Sequence, residues 1–116
     1  MRLYEQYIKD REGAYLFYDD NAFINYLLFP DKNILVIQEA FVIPELRNNY
    51  YMTNFLNRLI STLQKEYNID FVSCGIEIGS PDEERNCEIF ERYGFFYVKD
   101  IEGYKVYLKD LRRKDE

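Results

Sequence analysis

Two runs rich in β-branched and aliphatic residues, 34–43 (ILVIQEAFVI) and 71–78 (FVSCGIEI), flank a stretch whose apolar residues recur at a different period. Between them, Met52, Phe55, Leu56, Leu59, Ile60, Leu63 and Tyr67 follow the i, i+3, i+4, i+7 stripe of a helix with one buried face. A strand, a helix and a strand in that order form a crossover, which makes the two strands a parallel pair. Asn48 or Asn49 is the expected N-cap and Asn68 the expected end of the helix. Gly75 interrupts the second strand and predicts a bulge there or a close approach by another group.

The flanking segments extend the sheet. Leu3 with Tyr7 and Tyr4 with Ile8 stand four apart, the spacing of a short helix that Gly13 ends. Residues 14–18 and 23–29 read as strands joined by the turn Asp19, Asp20, Asn21, and Pro30, Asp31, Lys32, Asn33 turn the chain into the strand 34–43. A three-stranded meander therefore precedes the crossover. After it, Ser80, Pro81 and Asp82 open a second helix that runs to Tyr93 and stops at Gly94. Asp82, Glu83 and Glu84 suit the positive end of that helix's dipole, and the acidic stretch 83–91 reads as a solvated face. Residues 95–98 and 104–108, joined through 100–103, make a last hairpin, and 109–116 a polar tail.

At 116 residues with 47% hydrophobic and 18% aromatic content, the chain supports a single domain, 1–116, with a sizeable core. Twelve Tyr and nine Phe without a Trp give that core many phenol tips. The absence of His removes Ser-His-Asp and Cys-His nucleophile systems and every His-ligated metal site, so no metal is expected. A formal charge of -6 argues against a nucleic-acid partner held by counterion release. Tyr50, Tyr51 and Tyr67 could stack on bases, but helical spacing favours a core and rim role. Cys74 and Cys87 lack metal spacing and read as small buried hydrophobes in a reducing, cytoplasmic setting. No apolar run exceeds about six residues, against the roughly 20 a membrane span needs, and the first residues have no signal-peptide core. No membrane partner is expected.

Two stretches carry a resemblance. Residues 38–47, QEAFVIPELR, are similar to the strand and turn "E-L-Y-V-x-P-E-Y-R", and residues 81–95, PDEERNCEIFERYGF, match "P-D-N-x-x-A-x-x-L-Y-E-K-L-G-F" without a gap. Both patterns belong to the GNAT (GCN5-related N-acetyltransferase) superfamily, which the chain resembles over about residues 14–108 as a small, partly degenerate member. The resemblance implies an α/β, acyl-CoA N-acyltransferase fold: a mixed, mostly antiparallel sheet, one parallel pair that splays, and coenzyme A in the gap between strands 34–43 and 71–78.

It also implies site residues. Glu39 falls where many members carry the carboxylate that accepts the amine's proton, and burial within an apolar strand would raise its proton affinity; the alternative is a carboxylate on the solvated face. Val42 corresponds to the strand residue whose backbone pairs with the pantetheine arm. Residues 47–52 (Arg47, Asn48, Asn49, Tyr50, Tyr51 and Met52) fall on the loop whose amides cradle the pyrophosphate at a helix N-terminus. Arg47 matches that loop, with a solvated turn cation as its alternative, whereas its two glycines are Tyr50 and Met52, side chains that could obstruct the close approach glycine permits although a helix terminus still offers its N–H groups. The Tyr that protonates the departing thiolate is Phe90, which has no proton to give, and Tyr93 lies three residues on. Only about 13 residues stand where members usually place a strand and two helices before their second strand. The acceptor cleft is therefore open, completed by a partner, or absent.

Two functions follow: acetyl transfer from acetyl-CoA to an amine, or a binding and assembly module without chemistry. Small degenerate members of this kind occur in bacteriophages as virion components, which would place the chain in a virion. The missing helices leave apolar surface and the edge strand 14–18 uncovered, which predicts a homodimer or a stable protein partner.

Overall fold

The computed structural model describes residues 2–47 and 50–112. The chain runs α1 (Arg2–Glu12), β1 (Tyr15–Tyr18), β2 (Ala22–Phe29), β3 (Ile34–Val42), α2 (Tyr51–Leu63), β4 (Phe71–Glu77), α3 (Glu83–Arg92), β5 (Phe96–Ile101) and β6 (Tyr104–Asp110). One six-stranded sheet results, in the order β1-β2-β3-β4-β6-β5. Every neighbouring pair is antiparallel except β3 and β4, which are parallel as the crossover through α2 requires. The mixed sheet, its one parallel pair and the flanking helices are those expected from the sequence.

Several boundaries move. The helix of the crossover ends at Leu63 rather than Asn68, and its N-cap is Tyr50. The expected caps Asn48 and Asn49 lie outside the described residues. The last hairpin turns on Glu102 (φ 49) and Gly103 (φ 87), so β5 runs on to Ile101. Positive φ at both central positions is the two-residue turn whose twist matches a hairpin, and glycine supplies one of them without strain. The polar tail begins later than expected, because Asp110 pairs with Phe71 and the Leu111 amide donates to the Asp70 carbonyl at 2.7 Å. Glu83 is not merely solvated: its carboxylate accepts the Gly79 amide at 2.7 Å and pairs with Lys105 of β6 at 2.9 Å. This clamp ties the start of α3 to the sheet.

Alternation sorts the strands between two clusters. Ile24 of β2, Leu35 of β3 and Val72, Cys74 and Ile76 of β4 pack with Phe55, Leu59 and Ile60 of α2 and with Phe95. On the opposite face, Ile8 of α1 packs with Ala14 and Leu16, and Tyr4, Phe23 and Leu27 close over them. Of the two helical pairs in α1, Tyr4 and Ile8 face the sheet, while Leu3 and Tyr7 are 81% and 53% exposed. α1 thus covers the β1–β2 end of that face.

A register shift opposite Asn25 and Tyr26 makes Gln38 the extra residue of a bulge in β3. Gly75 pairs regularly with Val106, so no bulge falls there; of the two expectations it is the approach of another group that holds, the Tyr104 side chain lying 3.5 Å from where a Cβ would stand. The bulge exchanges faces. Before it, Leu35 and Ile37 pack toward α2; after it, Val42 does, and Glu39 and Phe41 turn toward α1. Strict alternation would have placed Glu39 in the core.

A polar network fastens the β1–β2 turn to α2. Asp19 accepts from the Tyr51 hydroxyl and from the amides of Asn21 and Ala22 (2.7 and 2.8 Å), with Arg58 at 3.3 Å. Burial by itself would raise the proton affinity of Asp19, but these donors outweigh it and hold the carboxyl below the usual carboxylate range. A depressed folded pKa contributes stability that is present above the unfolded value, about 3.9, and lost as pH falls through the folded value. Denaturant titrations of the wild type and Asp19→Asn should therefore show a stability gap at pH 6 that closes below about pH 4. A gap independent of pH would show that the charge of Asp19 contributes nothing.

Candidate functional site

β3 and β4 pair over only four positions, Ile34 to Ile37 against Phe71 to Cys74. Beyond the Gln38 bulge they part, and a cleft of about 640 Å³ opens between them. β3 from Ile37 to Val42 forms one wall, Cys74 to Glu77 of β4 another, and the start of α2 with Arg85, Ile89 and Phe90 of α3 and its C-cap Tyr93 closes the far side. Glu39, Val42, Arg47, Tyr50, Tyr51 and Met52 all line it. Asn48 and Asn49 lie outside the described residues. Among the described residues no group of His, Cys, Asp or Glu could hold a metal.

Each residue arrives by its own local route. Glu39 is exposed rather than embedded in apolar strand, and its Oε1 accepts from the Tyr4 hydroxyl at 2.9 Å and from Asn25 Nδ2 at 3.2 Å. The Ile43 amide bonds to Asn21 of the β2 side at 2.9 Å. Strand alternation therefore turns the amide edge of Val42 toward the cleft, where its carbonyl accepts from Arg47 Nε at 2.9 Å. The Arg47 guanidinium also lies 5.1 Å from the centroid of Phe41. Arg47 is thus an exposed turn cation at the cleft mouth, in contact with the Val42 carbonyl and the Phe41 ring.

Tyr50 holds φ at 68°, the left-handed conformation that favours glycine. The backbone keeps the glycine conformation although the residue is tyrosine. Its ring is 60% exposed and meets Tyr93 edge-on at 6.1 Å. Tyr51's hydroxyl is engaged by Asp19 and Asn21, so what it can bring to the cleft is its backbone. Met52 packs partly against the core. The Asn54 amide bonds to the Tyr50 carbonyl at 3.0 Å, and among the described residues the amides of Met52 and Thr53 have no acceptor. The buried Thr53 hydroxyl has no partner among the described residues. A helix N-terminus whose first amides have no acceptor among the described residues is suited to an anion.

Tyr50→Gly should leave stability unchanged or raise it by up to about 1 kcal/mol, since relief of the left-handed strain exceeds the lost ring contact. Met52→Gly should destabilise through lost packing and poor helix propensity. Chemical denaturation of both variants checks the contrast, and a destabilised Tyr50→Gly would overturn it.

Other groups stand as expected or apart. Phe90 lines the cleft and packs on Phe95 (5.3 Å) and Tyr107 (5.9 Å). Burial first, then Cys87 and Glu91, push the Tyr107 phenol upward, so it keeps its proton. Tyr93 is half-buried between core and cleft. Burial pushes the Cys74 thiol up to about 12, in keeping with a packing role. Sequence reasoning missed Tyr4 and Asn25, which reach Glu39 only through the fold.

No protein-family model and no curated protein matches the chain in sequence. Solved structures match it in fold. An acetyltransferase from Thermus thermophilus superposes with a TM-score of 0.67 at 16% identity, over 84% of this chain and 63% of that one. A GNAT-family acetyltransferase from Staphylococcus aureus does so at 0.67 and 18%, over 92% and 75%. The PaiA N-acetyltransferase of Thermoplasma acidophilum, solved in complex with coenzyme A, matches at 0.69 and 12%, over 94% and 69%. The chain therefore has the GNAT-like fold, and it spans less than two thirds of the Thermus protein. Among the described residues no helix is long and apolar enough to cross a membrane.

Proposed function

We propose that this chain binds acetyl-CoA in the cleft between β3 and β4 and transfers the acetyl group to an amine. The observation that carries the reading is the splay itself: the bulge at Gln38 parts two parallel strands beside a helix N-terminus and a carboxylate. The coenzyme A bound in the Thermoplasma protein, on the same fold, supports it. Acetyl-CoA supplies the thioester. The Val42 amide offers a strand-like partner for the pantetheine arm, the amides of Met52 and Thr53 a seat for the pyrophosphate, and Arg47 a cation beside it.

Glu39 takes a proton from the bound ammonium, directly or through water, which frees the nitrogen lone pair. The nitrogen attacks the thioester carbon, the C–N bond forms and the C–S bond breaks. The second proton leaves the nitrogen through water, and water delivers one to the departing thiolate, because Phe90 has none to give. Calorimetric titration with acetyl-CoA tests the reading: a saturable heat, with a stabilisation of about 2.7 kcal/mol at 100 times the dissociation constant, is expected. No heat at millimolar ligand would sink it.

A second reading, assembly without chemistry, is favoured by the sheet face away from α2. There Phe96, Ile101 and Tyr104 are 48%, 42% and 47% exposed, and β5 is an exposed edge strand. Self-association or a protein partner would bury roughly 1,200 Å² or more. A monodisperse monomer in light scattering at high concentration removes self-association.

A further inference from the structure

Glu39 is an exposed carboxylate at the cleft with an unusual set of neighbours. Both of its donors, the Tyr4 hydroxyl and the Asn25 amide, are neutral and converge on Oε1. Among the described residues no donor reaches Oε2, and no Lys or Arg pairs with this charge. Asn25 itself is 3% exposed, and its amide oxygen has no partner. The surroundings therefore have acceptors in excess and an uncompensated negative charge. Tyr4 cannot relieve that charge: burial and then Glu39 raise its phenol, which stays a donor.

The apolar side is equally local. Phe41 lies two residues along β3, on the same face as Glu39 and also on the cleft, with 43% of its surface exposed. It stacks on Phe23 at 6.0 Å, and Phe23 meets Tyr4 edge-on at 6.3 Å. The ring already attracts one cation, the Arg47 guanidinium at 5.1 Å. A net charge of -6 enriches cations around the molecule.

We infer that Glu39 and Phe41 form a seat for a primary amine, bound as its ammonium and carried on an apolar or aromatic body, with Tyr4 and Asn25 as positioning residues that aim the free Oε2 of Glu39. The inference names the acceptor class of the acyl-transfer reading and rests on it for the fate of the amine, though not for its binding. α1 thereby backs the acceptor site from behind β3, through Tyr4. Tyr4 works through Glu39 and does not itself line the cleft.

The test is an amide-resolved NMR titration of the full chain with 2-phenylethylamine and, separately, with 3-phenylpropionate, which has a similar body and the opposite charge. The amine is expected to shift amides at residues 39–42 with saturation, and the acid is expected to leave them unmoved. Glu39→Gln should weaken the amine about tenfold, equal to about 1.4 kcal/mol, near the worth of one hydrogen bond to a charged group. Tyr4→Phe, which keeps the ring against Phe23, should weaken the amine about threefold and leave acetyl-CoA affinity and the melting temperature unchanged, as a merely structural role would not. Equal shifts from amine and acid, or amine affinity indifferent to Glu39→Gln, overturn the seat. An acetyl-CoA titration of the same sample separates the two readings. Coenzyme bound with the amine silent removes the seat alone, whereas amine bound with the coenzyme silent keeps the seat and removes acyl transfer.

Discussion

Glu39→Gln is expected to lower amine acetylation by about 10²-fold or more, the usual contribution of a positioned general base. The substitution is close to isosteric, and its amide oxygen can still accept from the Tyr4 hydroxyl and the Asn25 amide, which bond to Oε1 in the native protein. Packing is therefore preserved, and the exposed position of the side chain removes any burial penalty. What disappears is the ability to hold a proton and the negative charge beside the amine. Steady-state rates with saturating acetyl-CoA, paired with calorimetric coenzyme affinity and a melting curve, check this. The rate should fall while the other two hold. An unchanged rate would take the base role from Glu39, and coenzyme bound without turnover in the wild type would favour the assembly reading.

The largest loss of stability is expected from Phe55→Ala. Phe55 is 1% exposed, packs on Phe17 of β1 at 4.8 Å and stacks on Tyr51 at 6.3 Å, so one ring joins the edge of the meander to the start of α2. Truncation removes its burial and leaves a cavity, at a cost of about 3–5 kcal/mol. Against a total stability of about 5–15 kcal/mol this is severe, and the melting temperature should drop by roughly 12 °C or more. The effect should reach the cleft, because Tyr51 and the amides of Met52 and Thr53 lie one turn before Phe55. Leu3→Ala, at a site 81% exposed, should stay within about 0.5 kcal/mol of the wild type. Urea denaturation of the two variants makes the comparison, and a Phe55→Ala midpoint equal to that of Leu3→Ala would refute the assigned packing.

Some of the molecule was legible in the chain alone. The change of hydrophobic period between β3 and α2 is a local property of the backbone, since a helix repeats every 3.6 residues and a strand every two, so the crossover and its parallel pair could be read without coordinates. The position of Glu39 on a strand just before a turn was legible for the same reason. The environment of Glu39 was not. Residues 35, 37, 39 and 41 all stand on one face of a regular strand, and only the pairing of β3 with β2 inserts the Gln38 bulge that turns Glu39 and Phe41 out of the core. That Tyr50 stands where the family's loop has glycine was legible, but its left-handed φ was not, because a sequence names the side chain and not the backbone conformation. Tyr4 reaches Glu39 across 35 positions of sequence. No local spacing encodes that contact, which exists because α1 packs over β2 on the face opposite α2, bringing a phenol and a carboxylate together only once the sheet has formed.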